Sequence, residues 1–478
     1  MGSTARRRAG TTRKTLSLLA AAAYAWLPPT ASAFEAEMGP VTVQNTLVTP
    51  AWTTVTFIRP FPVRPVVVAL PTNDGGDPAT VRIRNVTTTG FEIVQPEPSA
   101  NDGPHVAMPT AYLAIEPGDH VLPDGSRLVV LEHTTTSFAN RLISTTWDTI
   151  FFPSSFSGAP AVVAAIQTMA NESQAPPTSS SVPFMDVGIQ SVGPTSLQVT
   201  LERAESTAGS VSVAERIGIV AIESGLDISF TDALGSTVQL QSLLTPGNVR
   251  GWDNGCFTNS YPASFPVTPL AVASANSRAG NNGGWVRRCS QSSTSLGLTI
   301  DEDTDNDAER SHIGESAGII AASIAFHANL AVDILISKAV SSTADPFNGA
   351  SNPKSIPDAD IEYTIGVTNR GSSSPDVDTL VITDDVPPQL RLCVTAGCLA
   401  GGPVVFDDSG SPVPTGLSLG TVEYSNNGGA TYTYVPVPDV AGFDDAVNAI
   451  RVTLSGTMAA IAPAGQPSFA LRFAARIN

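Results

Sequence analysis

One motif occurs three times and constrains the fold more than anything else in the chain. Phe57, Phe61 and Pro65 stand four residues apart and lead into Val66-Val-Val-Ala. Phe152, Phe156 and Pro160 repeat that spacing ahead of Ala161-Val-Val-Ala. Tyr261, Phe265 and Pro269 repeat it ahead of Leu270-Ala-Val-Ala. Trp52 and Trp147 each precede the leading Phe of their copy by five residues. The copies lie 95 residues apart (Phe61 to Phe156) and then 109 (Phe156 to Phe265), the period of a domain and too long for a solenoid turn. Each copy continues in one order: a polar loop, a strand (81–85, 185–190, 285–289), a turn, and a second strand (91–94, 197–201, 296–300). An apolar strand closes it (111–115, 216–222, 317–326).

The apolar runs are short, rich in β-branched residues and bounded by Pro, Gly, Asn and Ser, which is the signature of strands. No window sustains an apolar stripe at helical spacing. Six or so strands in 90–100 residues make an antiparallel sandwich. Composition agrees: 39 Gly, 38 Pro, 42% apolar and only 14% charged residues exclude wholesale disorder. The formal charge of −18 disfavours nucleic acid and anionic membrane surfaces as partners.

Residues 1–33 read as an export signal, with Arg6, Arg7, Arg8, Arg13 and Lys14 before an apolar stretch and Ala31-Ser-Ala33 as the cleavage pattern. No later stretch has the length of a membrane span, so no insertion is expected after cleavage. The four cysteines suit an oxidising compartment. Cys256 with Cys289 and Cys393 with Cys398 is the economical pairing among three connectivities.

The first repeat resembles the H-type lectin domain, on Trp52-Thr-Thr-Val-Thr-Phe57, Phe61, Pro65-Val-Val-Val and Val86-Thr-Thr-Thr-Gly-Phe91. The likeness runs from about 40 to 118, more loosely through the second repeat, and most divergently in the third. It implies an antiparallel sandwich that binds sugar and often trimerises, an arrangement that a tandem array can mimic in one chain; a homo-oligomer is the other assembly it allows. The family's sugar-binding Trp is missing from the last strand, where Tyr112 stands instead. Tyr112 reads either as a sugar-stacking ring or as a core or rim aromatic; with Arg82 and Asp77 it makes up the candidate ligand-binding set.

From about Asn329 the pattern changes. Ile361-Glu-Tyr-Thr-Ile-Gly-Val-Thr-Asn alternates at period two and Thr379-Leu-Val-Ile-Thr-Asp-Asp-Val-Pro follows. This stretch resembles the conserved repeat of bacterial surface proteins called domain of unknown function eleven, which implies an immunoglobulin-like spacer over 330–478. The division expected is thus 1–33, 34–135, 136–226, 227–329 and 330–478, an all-β chain of tandem sandwiches.

Three motifs point to chemistry. Gly314-Glu-Ser316-Ala-Gly318 matches a hydrolase elbow, but that elbow needs a strand–turn–helix, and the segment reads as a strand. The only later histidine is His327, so no catalytic role is assigned. Asp301, Asp303, Asp305, Asp307 and Glu309 alternate like an EF-hand loop and make calcium the one cofactor to consider, although Asn306 and His312 replace the expected Gly and Glu. Lys338 and Lys354, the only lysines after residue 33, read as solvated. The function expected is a secreted or cell-surface binding protein for glycans or surface polymers. The alternative is a structural or adhesive component that binds no sugar.

Overall fold

The computed structural model describes residues 24–26, 34–47, 50–122, 124–141, 145–172, 181–330 and 332–478. The predicted leader lies outside these, except for a strand, Tyr24–Trp26, paired with Val381–Asp385. The protein is all-β, built from antiparallel sandwiches.

The three repeats share one topology. In the first, Glu35–Val43 and Val66–Ala69 flank Met108–Ile115 in an inner sheet, while Thr53–Thr56 and Arg82–Arg84 flank Gly90–Val94 in an outer one. In the second, Arg127–Thr135 and Ala161–Ile166 flank Glu215–Ile222, and Asp148–Phe151 and Asp186–Gln190 flank Ser196–Glu202. In the third, Thr237–Leu244 and Leu270–Ala275 flank Ala317–Ala322, and Phe257–Ser260 and Trp285–Gln291 flank Ser295–Asp301.

The repeats do not follow one another as beads. Every residue of Val66–Ala69 and of Ala161–Ile166 is buried, so these strands are covered on both faces. In the second sandwich the two faces have different destinations. Val162, Ala164 and Ile166 fill its own core with Ile217, Ile219 and Ala221. Ala161, Val163 and Ala165, with Val220 and Ile222, enter a common core beside Val66 and Val68 of the first sandwich and Val272 and Ile320 of the third. Each fully buried Val or Ile contributes about 1.5–3 kcal/mol, so the common core is a large share of what holds the assembly.

Short strands close the ring. Gly118–Val121, which follows the first sandwich, adds to the sheet of the second. Asp227–Thr231 adds likewise to the third, and Phe326–Asn329, at the end of the third, pairs back with Glu35–Met38 of the first. The expected boundary at 135/136 is therefore corrected: Arg127–Thr135 is the opening strand of the second sandwich and pairs with Glu215–Ile222.

Hydrogen bonds seal the contacts between sandwiches. The amide of Gln167 accepts from Val67 N (3.0 Å) and donates to Val67 O (2.7 Å). Asn276, at the matching place in the next repeat, does the same to Val162 N (2.9 Å) and O (2.7 Å). The approach there is so close that a Cβ on Gly318 would lie 2.3 Å from Val162 O.

Both disulfides form as Cys256–Cys289 and Cys393–Cys398. Cys256 precedes Tyr261 by five residues, the place Trp52 and Trp147 hold in their copies. The bridge crosses the middle strand over Gly297, where a Cβ would sit 2.6 Å from Cys256 Sγ. In the first sandwich Trp52 occupies that position, with the Arg84 guanidinium 3.7 Å above its ring.

Residues 332–478 form a separate two-sheet sandwich whose long strands Asp360–Asn369 and Ser468–Ile477 alternate strictly between buried and half-buried residues. Lys338 is not solvated as expected. It is buried, 2.7 Å from Asp384 on the opposite sheet and 4.4 Å from the Tyr363 ring, because Asp384 neutralises it there.

Candidate functional site at the loop end of the first sandwich

Buried guanidinium groups dominate the junctions between sandwiches. Arg82 is fully buried, with Nε 2.9 Å from Glu172 and Nη2 2.9 Å from Thr168 O, both in the second sandwich. Arg287, at the equivalent ladder position of the third sandwich, donates to Thr72 O (2.8 Å) and Asp77 O (2.9 Å) of the first. Gly188 takes this position in the second sandwich; there Arg278 of the third reaches back to Glu202 at 2.5 Å. The first–second and second–third junctions thus each bury one compensating pair, whereas at the first–third junction Arg287 shares Asp301 with Arg310.

Around the first–third junction these arginines order the loop between Val66–Ala69 and Arg82–Arg84. Arg310 donates to Gly76 O (2.8 Å) and to both oxygens of Asp301 (2.7 and 2.8 Å), and stacks 4.1 Å from Trp252. With its backbone held this way, the loop brings Asp77 to Glu97 and Asp102 of the loop that follows Gly90–Val94. One oxygen from each of the three lies within 4.8 Å of the others, the only such group among the described residues.

Asp77 and Asp102 are exposed, and Glu97 is fully buried. Glu97 Oε2 accepts from Gly103 N at 2.9 Å, while Oε1 has no partner. Burial, then the neighbouring Asp77 and Asp102 charges, push the Glu97 carboxyl up to about 7. His105, behind Gly75 of the same loop end, is held low by burial.

The structure places the expected ligand residues differently. Tyr112 is a core residue, edge-on to Phe91 at 5.2 Å, and its hydroxyl donates to Glu37 at 2.6 Å. Burial raises its pKa, and no face is open to stack on a sugar. Arg82 is equally inaccessible. The apolar run Ala111–Ile115 carries Tyr112 inward, whereas nothing local to Arg82 signals a partner ninety residues away at Glu172. Of the three, Asp77 alone lies at the surface.

The five carboxylates from Asp301 to Glu309 do not converge, which corrects the EF-hand-like reading. Asp301 is consumed by Arg287 and Arg310. Asp303 accepts from the backbone N–H groups of Glu205 (2.7 Å) and Ser206 (2.9 Å) in the second sandwich. Asp305 accepts from Ala100 N (2.6 Å) in the first. Asp307 and Glu309 accept from their own loop, at Glu309 N and Ser311 N. The stretch is a clasp joining three sandwiches, and its alternation reflects partners on different sides.

Ser316 belongs to an extended lead-in to Ala317–Ala322; its N–H donates to Ser277 (2.8 Å) and its carbonyl accepts from Asn276 N. That is not the strand–turn–helix of an elbow. His327 is bound instead to Glu37, 2.9 Å away.

Sequence reasoning missed Glu97, Asp102, Gln167 and Asn276. The last two were legible in principle, since each stands seven residues after its copy's motif proline, Pro160 or Pro269. Comparison with protein-family models, curated proteins and solved structures finds no match. Among the described residues no helix is long and apolar enough to cross a membrane.

Proposed function

We propose that this chain is a secreted or cell-surface binding protein, a three-sandwich head on an immunoglobulin-like spacer, that recognises carbohydrate or a surface polymer. The observation that carries the reading is the common core, which fixes the loops of three similar sandwiches around one axis. Three related surfaces held rigidly suit a repetitive polymer, because each further contact is made at high effective concentration without reordering the protein. Two disulfides fit an oxidising compartment. One aromatic available for contact is Trp52, half-buried, with the Arg84 guanidinium over one face of its ring.

A structural or adhesive role is the second reading. It draws on Val435, Val437 and Val440, three strongly exposed apolar side chains close together on the spacer. A screen of oxidised residues 34–478 against glycans and bacterial polysaccharides separates the two. Saturable binding of one sugar class, weakened by Trp52→Ala, is expected. Silence from protein shown to be folded overturns the recognition reading and leaves the structural one.

A further inference from the structure

We propose that Asp77, Glu97 and Asp102 form a divalent-cation site, with calcium the ion its dimensions suit, tying together the two loops at the end of the first sandwich. The proposal stands apart from whatever ligand the head binds.

Calcium takes oxygen ligands at about 2.3–2.6 Å, so two oxygens on one ion lie at most about 5 Å apart. The three carboxylates meet that condition, each having an oxygen within 4.8 Å of the others. Magnesium demands near-ideal octahedral geometry and gives up its waters reluctantly, so a site shared between two loops and a buried carboxylate favours calcium. Zinc prefers nitrogen and sulfur, and no histidine or cysteine belongs to the group.

Acidic clusters at a surface are common, but this one contains a carboxylate that has been taken out of water. Glu97 is 0% exposed, no N–H or O–H donor reaches its Oε1, and its carboxyl lies beside that of Asp102. A buried oxygen left without a donor costs about 1–3 kcal/mol, more when charged. A bound cation supplies the missing partner. The neighbouring arginines do not compete, since Arg287 and Arg310 are both spent on Asp301 and on backbone carbonyls of the Asp77 loop.

Both loops also touch other sandwiches. Arg287 of the third holds Asp77 O, and Ser181 N of the second donates to Glu97 O at 2.8 Å. An ion bridging the loops would therefore stiffen the point where all three sandwiches meet.

Calorimetric titration of chelator-treated, oxidised residues 34–478 with calcium chloride at physiological salt tests this, with thermal melting alongside. One saturable site is expected, with Kd on the order of 10⁻⁴–10⁻³ M as in extracellular calcium modules, and a Tm that rises with calcium. Asp77→Asn and Asp102→Asn, both at exposed positions, should each weaken binding about tenfold or more, which is about 1.4 kcal/mol, while keeping the fold. Asp307→Asn and Glu309→Gln, at carboxylates that accept from their own loop, should leave it unchanged. The proposal is overturned if the wild-type chain shows no saturable heat and no Tm shift up to about 10 mM calcium, well above that range. It is equally overturned if binding survives the Asp77→Asn/Asp102→Asn double variant.

Discussion

Gln167 and Asn276 act as side-chain substitutes for a strand edge. Each presents a carbonyl and an amide to the backbone of a neighbouring sandwich, where no strand pairs. Asn276→Leu would leave both Val162 N–H and C=O buried without partners, at about 1–3 kcal/mol each. A loss of several kcal/mol in urea unfolding is the expected outcome. His327 is a second decisive residue, since it lies on the closing strand. Burial alone would lower its pKa, but hydrogen bonds and charge from Glu35 and Glu37 outweigh that and raise it to about 9. Its unfolded value is near 6.5, so the stability it lends is complete below pH 6.5, falls between 6.5 and 9, and is gone above. Melting temperature should decline across that window, and His327→Gln should flatten the decline. Glu302 adds to that decline with rising pH. Burial, then the charges of Glu309 and Glu205, push it up to about 9, and its Oε2 has no partner. Because its ionised form is disfavoured in the fold, the stability it lends is full below about 4.5 and is lost as pH rises towards 9. Glu302→Gln should therefore raise the Tm at alkaline pH and change it little near pH 4.

At the scale of elements, the third sandwich shows how one position can be filled in two ways. A Trp packed across the middle strand in the first copy is replaced by the Cys256–Cys289 bridge in the third. The bridge lies over Gly297, so Gly297→Ala should destabilise the oxidised protein and cost less once the disulfide is reduced, as melting with and without reductant would show. Much of this level was legible. The aromatic–proline motif located the inner-sheet strand that follows it in each copy, and the order of strands behind it matches the structure in all three. Continuous apolar runs such as Val66-Val-Val-Ala even signalled burial on both faces. What covers the second face was not legible, because the partner strands lie about a hundred residues away. The same distance hid the pairing of Arg82 with Glu172 and made a clasp at Asp301–Glu309 resemble a metal loop. Glu97 and Asp102 went unnoticed because their loop carries no spacing motif; only the fold brings Asp77 to them.

At the scale of the whole molecule, the common core makes the three repeats one unit, and the proposed function follows from that unity. Each sandwich alone would expose the inner-sheet face that now meets the other two, including Val163 and Val220 of the second and Val272 and Ile320 of the third. Residues 332–478 have their own core, from Ile361 and Tyr363 to Phe473, and should unfold independently. The closing pairing of Phe326–Asn329 with Glu35–Met38 ties the end of the head to its beginning. The most direct test is scanning calorimetry of oxidised residues 34–478, with the first sandwich, residues 34–117, expressed alone as a control. One cooperative transition for the three joined sandwiches, a second for residues 332–478, and no cooperative transition for the isolated sandwich are predicted. Separate transitions for the three repeats, or an isolated first sandwich that melts cooperatively as a monomer, would contradict the shared core and the rigid head built on it.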